Sequence, residues 1–279
     1  MRVTCLYALR LGFGLGLGLC ACVSSAYVPP DGGGGGGADA AAGCFPNNDG
    51  VIARNELAFT PGLQVTYLVQ SGTASQPIAV KPGGEMVQGV TVWSFDHPTG
   101  NPATLTLAAP AGWYAPNFPE AGYVVTTDLP TGTLGAFRAA DDILYLYGFA
   151  SPTEDAKTLA IYDHPIALLR FPMALSQTYM DTGIIANGMF GGFPLSSTDT
   201  YRVQIDGKGQ LVLAQARLDN TLRVRTDLTQ QLGGGTMRRR IQYGFYHECF
   251  GEVARITSLL DEANPDFTGA AEVRVLTAP

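Results

Sequence analysis

Charged residues are scarce in this chain. They make up 15% of its 279 residues, against about a quarter in an ordinary soluble domain. Basic residues are the scarcer kind, with 17 Lys and Arg against 24 Asp and Glu. An acidic chain is a poor ligand for nucleic acids and for anionic lipid head groups. The composition therefore predicts that nucleic acid is not a partner.

Sequence motifs of catalysis are missing as well. The sequence has no Gly-x-Ser-x-Gly elbow, no Walker loop and no dinucleotide-binding fingerprint. The three histidines, His97, His164 and His247, lack the local spacing of a metal site. The segment 47–56 resembles the centre of a calcium loop, but Phe45 would take the first ligand position and has no ligand oxygen. We predict no catalytic residue, no metal and no cofactor.

The first residues have the parts of a secretory signal. Arg2 and Arg10 supply positive charge, and the apolar run Leu6–Leu19 is too short for a confident membrane span. The sequence predicts a signal peptide over residues 1–21. Its removal leaves 15 of the 17 basic residues against 24 acidic ones, a net charge of −9.

Two cleavage sites compete after this run. Leu19-Cys20-Ala21-Cys22 resembles a bacterial lipobox, which predicts lipidation at Cys22, whereas Ser24-Ser25-Ala26 would suit an ordinary signal peptidase. The residue after Cys22 is Val23 and not Asp. By resemblance to bacterial lipoprotein sorting, this favours the outer membrane. The expected location is the outer membrane or cell surface through a lipid anchor, and otherwise the periplasm or the medium.

Residues 22–43 predict a flexible Gly/Ala-rich tether. The run Gly32–Gly37 and the alanines after it cannot bury apolar surface. A flexible coil of this length reaches roughly 25 Å, enough to hold a folded domain away from a membrane. The remaining residues, 44–279, are expected to form a single β-rich domain.

From Cys44 onward the sequence predicts strands and almost no helix. About a dozen alternating or β-branched runs are bounded by Gly, Pro, Asn or Asp clusters. The predicted strands are Leu63–Val69, Val87–Phe95, Ala103–Leu107, Tyr123–Thr127, Ile143–Phe149, Lys157–Tyr162, Tyr201–Ile205, Gln210–Leu213, Thr221–Thr226, Arg239–Tyr246, Val253–Ser258 and Glu272–Leu276. Such a pattern predicts an all-β fold, either an antiparallel β-sandwich or a curled, partly open barrel.

Two details of this pattern are open to a direct structural check. Asp206–Gly209 is expected to form a hairpin turn between the strands on either side of it. The glycine-rich segment 183–193 is expected to be a loop at one end of the sheet, where a ligand would bind.

The one basic concentration in the chain is a group of arginines near the C-terminus. If alternate residues of neighbouring strands share a face, Arg223 and Arg225 could join Arg238 and Arg240 and bind a phosphate or an anionic glycan. The alternative is a solvated sheet face on which these arginines pair with nearby acidic side chains.

Two cysteines remain in the folded part after signal removal. Cys5 and Cys20 leave with the signal, and Cys22 is lipidated or removed, so Cys44 and Cys249 are left in a compartment where disulfides persist. We predict a disulfide between them. The alternative is a pair of buried free thiols.

Part of the sequence resembles uncharacterised exported lipoproteins of bacteria with an all-β domain. The resemblance covers roughly residues 165–258 and implies an all-β exported domain, but it carries no known active site, so that no functional residues transfer. The matching residues are Phe171-Pro172, Thr178–Asp181, Tyr201, Asp206–Leu211, Leu222–Thr226, Tyr243–Tyr246 and Glu252–Ile256.

The leading functional hypothesis is a lipid-anchored envelope or surface protein with a binding or structural role. Its partners would be the membrane, through the anchor, and an envelope polymer or protein. One alternative is a secreted hydrolase of polysaccharide or envelope polymer, which would need a cleft with two carboxylates and a perturbed pKa. Another is a carrier of lipid or lipoprotein, which would need a deep apolar cavity.

Overall fold

The computed structural model describes residues 44–127, 132–155 and 157–277. The predicted signal peptide (1–21), the predicted tether (22–43) and the predicted lipidation site Cys22 lie outside the described residues.

Fifteen β-strands occur within these ranges, together with short 3-10 helices at Arg54–Glu56 and Ala115–Asn117. The strands are β1 (Gln64–Ser71), β2 (Ile78–Ala79), β3 (Glu85–Val87), β4 (Val90–Phe95), β5 (Asn101–Thr106), β6 (Tyr123–Thr126), β7 (Leu134–Ala139), β8 (Ile143–Ala150), β9 (Leu159–Arg170), β10 (Thr178–Phe190), β11 (Phe193–Leu213), β12 (Arg217–Leu232), β13 (Met237–His247), β14 (Gly251–Ser258) and β15 (Gly269–Leu276).

The strands form one sheet that curls until its two edges meet. Its order is β5-β1-β15-β14-β13-β12-β11-β10-β9-β8-β7-β6, and the pairs along it are antiparallel. Just beyond β5, Ala108 exchanges two backbone hydrogen bonds with Val124 of β6, at N–O distances of 2.9 and 2.8 Å. Because only this bridge joins the edges among the described residues, the barrel is nearly closed. The predicted curled, partly open antiparallel barrel is confirmed.

The side chains of each long strand alternate between the inside and the outside of the barrel. On β13, Ile241, Tyr243 and Phe245 point outward into an apolar core. This outer core is covered by β4, which carries Trp93, 2% exposed, and packs its ring 5.2 Å from that of Phe245. The even-numbered residues of β13 therefore face the barrel interior.

The expected hairpin at Asp206–Gly209 is wrong, because β11 runs straight through it with two register shifts. The glycines instead make room for strand β4, which pairs in parallel with β11 from Gln210 onward. A Cβ at Gly209 would collide with the carbonyl oxygen of Thr91, and one at Gly207 would lie 3.1 Å from the Trp93 ring. Close approach of β4, and not a turn, requires glycine here.

The glycine-rich segment 183–193 is also not a loop for most of its length, since it belongs largely to β10. Gly183 lies beneath the side chains of Tyr162 and Ile166, which a Cβ would meet at 2.7 and 2.6 Å. The glycine makes room for an aromatic ring inside the barrel. In the sequence, glycines that make room for a neighbouring side chain therefore look the same as glycines that form a turn.

One end of the barrel is filled by the segment that precedes β1. Ile52 forms a β-bridge with Met173, and both side chains are fully buried. The predicted disulfide is confirmed: Cys44 is bonded to Cys249, with Cα atoms 5.5 Å apart. The disulfide fixes the start of this filling segment beside the turn that joins β13 to β14.

Candidate ligand cavity

The interior of the barrel contains a cavity of about 580 Å³. All twelve strands of the curled sheet contribute side chains to its wall. Binding pockets for small molecules usually measure about 300 to 1,000 Å³. The cavity therefore has the size of a binding site for a small molecule.

Most of the cavity wall is apolar. Strands β6 to β12 contribute the larger part of this lining, which includes Val125, Phe137, Leu146, Phe149, Leu168, Ile185, Leu195 and Leu228. At the filled end the lining is completed by Leu57, Phe59 and Leu63 from the segment before β1. A ligand in contact with this wall would be stabilised by the removal of apolar surface from water.

The cavity opens at the opposite end. The turns β10–β11 and β12–β13 and the loop β14–β15 lie together there, because hairpin turns alternate between the two ends of an antiparallel sheet. Phe190, the last residue of β10, and Leu260, in the β14–β15 loop, line the cavity, yet their exposed fractions are 37% and 49%. These residues mark the mouth of the cavity.

A charged cluster lies in the wall formed by β13, β14 and β15. Glu252 accepts hydrogen bonds at 2.7 Å from Nη2 of Arg255 and at 2.7 Å from Nη2 of Arg274, and at 3.0 Å from the hydroxyl of Tyr246. The Glu252 side chain is 9% exposed. Burial alone would raise the pKa of Glu252, but the two guanidinium groups outweigh it and lower the pKa to about 2. Glu252 is thus a fixed anion that holds two arginines.

A second polar cluster lies among the apolar side chains. Asp199 is fully buried, and its Oδ2 accepts hydrogen bonds from the hydroxyl of Tyr162 at 2.7 Å and from Nε2 of Gln230 at 3.1 Å. The hydroxyls of Tyr162 and Tyr201 are 3.1 Å apart. Burial, together with the neighbouring Tyr201 and Asp199, raises the pKa of Tyr162, so this phenol stays protonated and donates. The cluster connects β9, β11 and β12 across the wall.

The arginines proposed from the sequence as one anion site lie on two different faces. In the β12–β13 register, Leu228 is opposite Arg240 and Gln230 is opposite Arg238, and all four side chains line the cavity. Odd-numbered positions of β12 point the other way.

The two arginines of β12 accordingly lie outside the barrel. Arg223 stacks over the ring of Tyr243 at 4.8 Å and pairs with Asp206, and Arg225 pairs with Asp227. The expectation that Arg223 and Arg225 share a face with Arg238 and Arg240 is therefore wrong. The two pairs of arginines lie on neighbouring strands, but their side chains are on opposite faces of the sheet.

Sequence reasoning missed the polar residues of the cavity. Asp199 and Tyr201 belong to an inward row on β11 that continues with Val203 and Ile205. The signal was present as an acidic residue at an apolar position of a clear period-two pattern.

The described part of the chain is thus defined by its fold and site as a curled all-β barrel with a ligand-sized interior. No family model, curated protein or solved structure matches the chain. In the described ranges, none of the helices has the length and apolar character needed to cross a membrane. The same residues contain no group of three or more His, Cys, Asp or Glu side chains that could hold a metal ion.

Proposed function

We propose that this chain is a carrier that binds a small, largely apolar molecule inside its barrel. The observation that supports this is the cavity, which has an apolar wall, one filled end and one open end. Barrels that enclose cavities of this kind commonly hold a ligand that is poorly soluble in water. This role corresponds to the carrier alternative considered from the sequence, and not to the leading hypothesis of an envelope or surface protein with a binding or structural role.

The charged groups of the cavity favour a carrier over a hydrolase. A general acid works best when its pKa lies near the working pH. The pKa of Glu252 is instead lowered to about 2, and both of its oxygens accept hydrogen bonds from arginine. A carboxylate held in this way is suited to fixing arginines and not to transferring protons.

The proposal includes the cellular setting predicted from the sequence. An exported chain anchored through a lipid on Cys22 would hold the barrel at an envelope membrane, where apolar molecules are stored and exchanged. The membrane would be its partner through the anchor, and an envelope polymer or protein would be the further partner considered from the sequence.

Binding of a neutral apolar dye tests the carrier function. N-phenyl-1-naphthylamine becomes fluorescent in apolar surroundings, and we expect saturable binding to the full exported chain. Leu228→Trp should weaken this binding, because Leu228 lines the cavity and the larger ring takes up part of the space for the dye. Thr229→Trp is the matched control, since the adjacent residue of β12 points out of the barrel. Absence of dye binding, or equal binding to both variants, would contradict the proposal.

A further inference from the structure

Five arginines line the cavity, and four of them have an evident counterpart or solvent. Arg255 and Arg274 are held by Glu252, and Arg238 is paired with Asp261 at 3.0 Å. Arg239 is exposed to water. The fifth, Arg240, is the one whose charge needs an explanation.

Arg240 is only partly exposed, and its guanidinium has no carboxylate and no hydrogen-bond acceptor among residues 44–127, 132–155 and 157–277. A charge that is partly withdrawn from water without a partner is unfavourable. By contrast, the neighbouring Arg238 has its carboxylate. The wall of the cavity thus offers a cation that is available to a ligand.

The surroundings of Arg240 define what this ligand would look like. Its partner across the β12–β13 register is Leu228, and the next inward residue of that row is Tyr201 on β11. An apolar surface therefore begins directly beside the guanidinium. Arg240 lies three residues from the β12–β13 turn, on the side of the cavity mouth.

We propose that Arg240 binds the oxyanion of an amphipathic ligand, a carboxylate or a phosphate, whose hydrocarbon part occupies the apolar wall of the cavity. This assignment rests on the proposed carrier function and adds the head group to it. The planar guanidinium can donate two parallel hydrogen bonds to either oxyanion. The low polarity of the surrounding wall strengthens this ion pair relative to one in water.

The other arginines of the wall are less available to a ligand anion than Arg240. Arg255 and Arg274 are already held by Glu252, which accepts hydrogen bonds from both at 2.7 Å. A ligand anion would have to compete with a buried carboxylate for them. Arg240 presents no such competition among the described residues.

The test measures how well three twelve-carbon competitors displace N-phenyl-1-naphthylamine from the full exported chain. Dodecanoate and dodecyl phosphate carry the oxyanion, and dodecanol has the same chain with a neutral end. In the wild-type protein both anions should displace the dye better than dodecanol. In Arg240→Gln this preference should fall by about tenfold or more, as expected for a charge-assisted hydrogen bond, while displacement by dodecanol is unchanged. The stronger of the two anions identifies the head group.

Arg202→Gln is the matched control, because it removes one positive charge from an exposed position on β11. An equal loss of preference in this variant would assign the effect to net charge and overturn the proposal. Arg240→Glu supplies a second variant: it should reverse the preference, so that dodecylamine displaces the dye better than dodecanoate. Arg240→Lys keeps the charge and should retain part of the preference for anions.

The outcomes separate this inference from the proposed function. If the dye does not bind at all, the carrier function itself fails. If the dye binds but dodecanoate, dodecyl phosphate and dodecanol compete equally well, the carrier function stands and the role of Arg240 is refuted. A preference for anions that survives in Arg240→Gln would likewise refute it.

Discussion

The two ion pairs of Glu252 predict a specific loss of stability in acid. In the folded barrel the carboxylate meets the guanidinium groups of Arg255 and Arg274 at 2.7 Å. Burial opposes ionisation of Glu252, but its interaction with the two arginines is stronger and lowers its pKa from the usual 4.5 to about 2. A difference of this size between the folded and unfolded states corresponds to about 3 kcal/mol of folding free energy at neutral pH.

The direction of the pH dependence follows from the lowered pKa. Below pH 4.5 the unfolded chain takes up a proton at Glu252 before the folded chain does, so acid favours unfolding. The stabilisation is complete above about pH 4.5 and is lost as the pH falls toward 2. Glu252→Gln removes the carboxylate at every pH and takes its negative charge away from Arg255 and Arg274. At pH 7 we expect it to cost about 3 to 5 kcal/mol.

The assay is urea unfolding of the wild type and of Glu252→Gln between pH 7 and pH 2.5, followed by tryptophan fluorescence. The difference in the free energy of unfolding between them should shrink by about 3 kcal/mol over the acid range. Glu120→Gln is the control. Glu120 is a surface carboxylate, 63% exposed, that pairs with Arg138, and its loss should cost under about 1 kcal/mol. A Glu252→Gln cost no larger than that of the control, or one that is the same at pH 7 and pH 3, would refute the reasoning.

Three further predictions concern other parts of the chain. Replacing both Cys44 and Cys249 with Ala opens a cross-link across 205 residues; the chain-entropy model puts the loss at up to about 5 kcal/mol, and unchanged urea unfolding would contradict it. Gly148→Ala places a Cβ against the carbonyl oxygen of Ala160 at a φ of +150°, and should cost about 1 to 3 kcal/mol or more, measured by thermal unfolding with loss of near-ultraviolet dichroism. Cys22→Ser should remove the lipid mass increment of the exported protein, and a soluble wild type beginning at residue 27 would show that Cys22 is not lipidated.

The strand content could be predicted from the sequence, because strands depend largely on local patterns of apolar, polar and turn residues. The alternation in Tyr201–Ile205 and the turn residues around the other runs indicate strands without any knowledge of the fold. The disulfide could be predicted for a different reason, since compartment and parity left only Cys44 and Cys249. Both inferences needed no information about which strands are neighbours.

The site depended on that missing information. Arg238 and Arg240 line the cavity and Arg223 does not, and this follows from the register between β12 and β13. A shift of one residue would have exchanged the two faces. Gly209 shows the same limit, because the sequence does not reveal that β4 packs against it.

The disulfide also fixes the end of the barrel at which Cys44 lies. Strand β13 runs from Met237 at the open end to His247, two residues before the bonded Cys249. Its 11 residues span roughly 35 Å. Cys44 therefore lies at the end of the barrel opposite the mouth of the cavity. In the proposed carrier, an anchor that precedes Cys44 would therefore leave the mouth of the cavity free for the ligand.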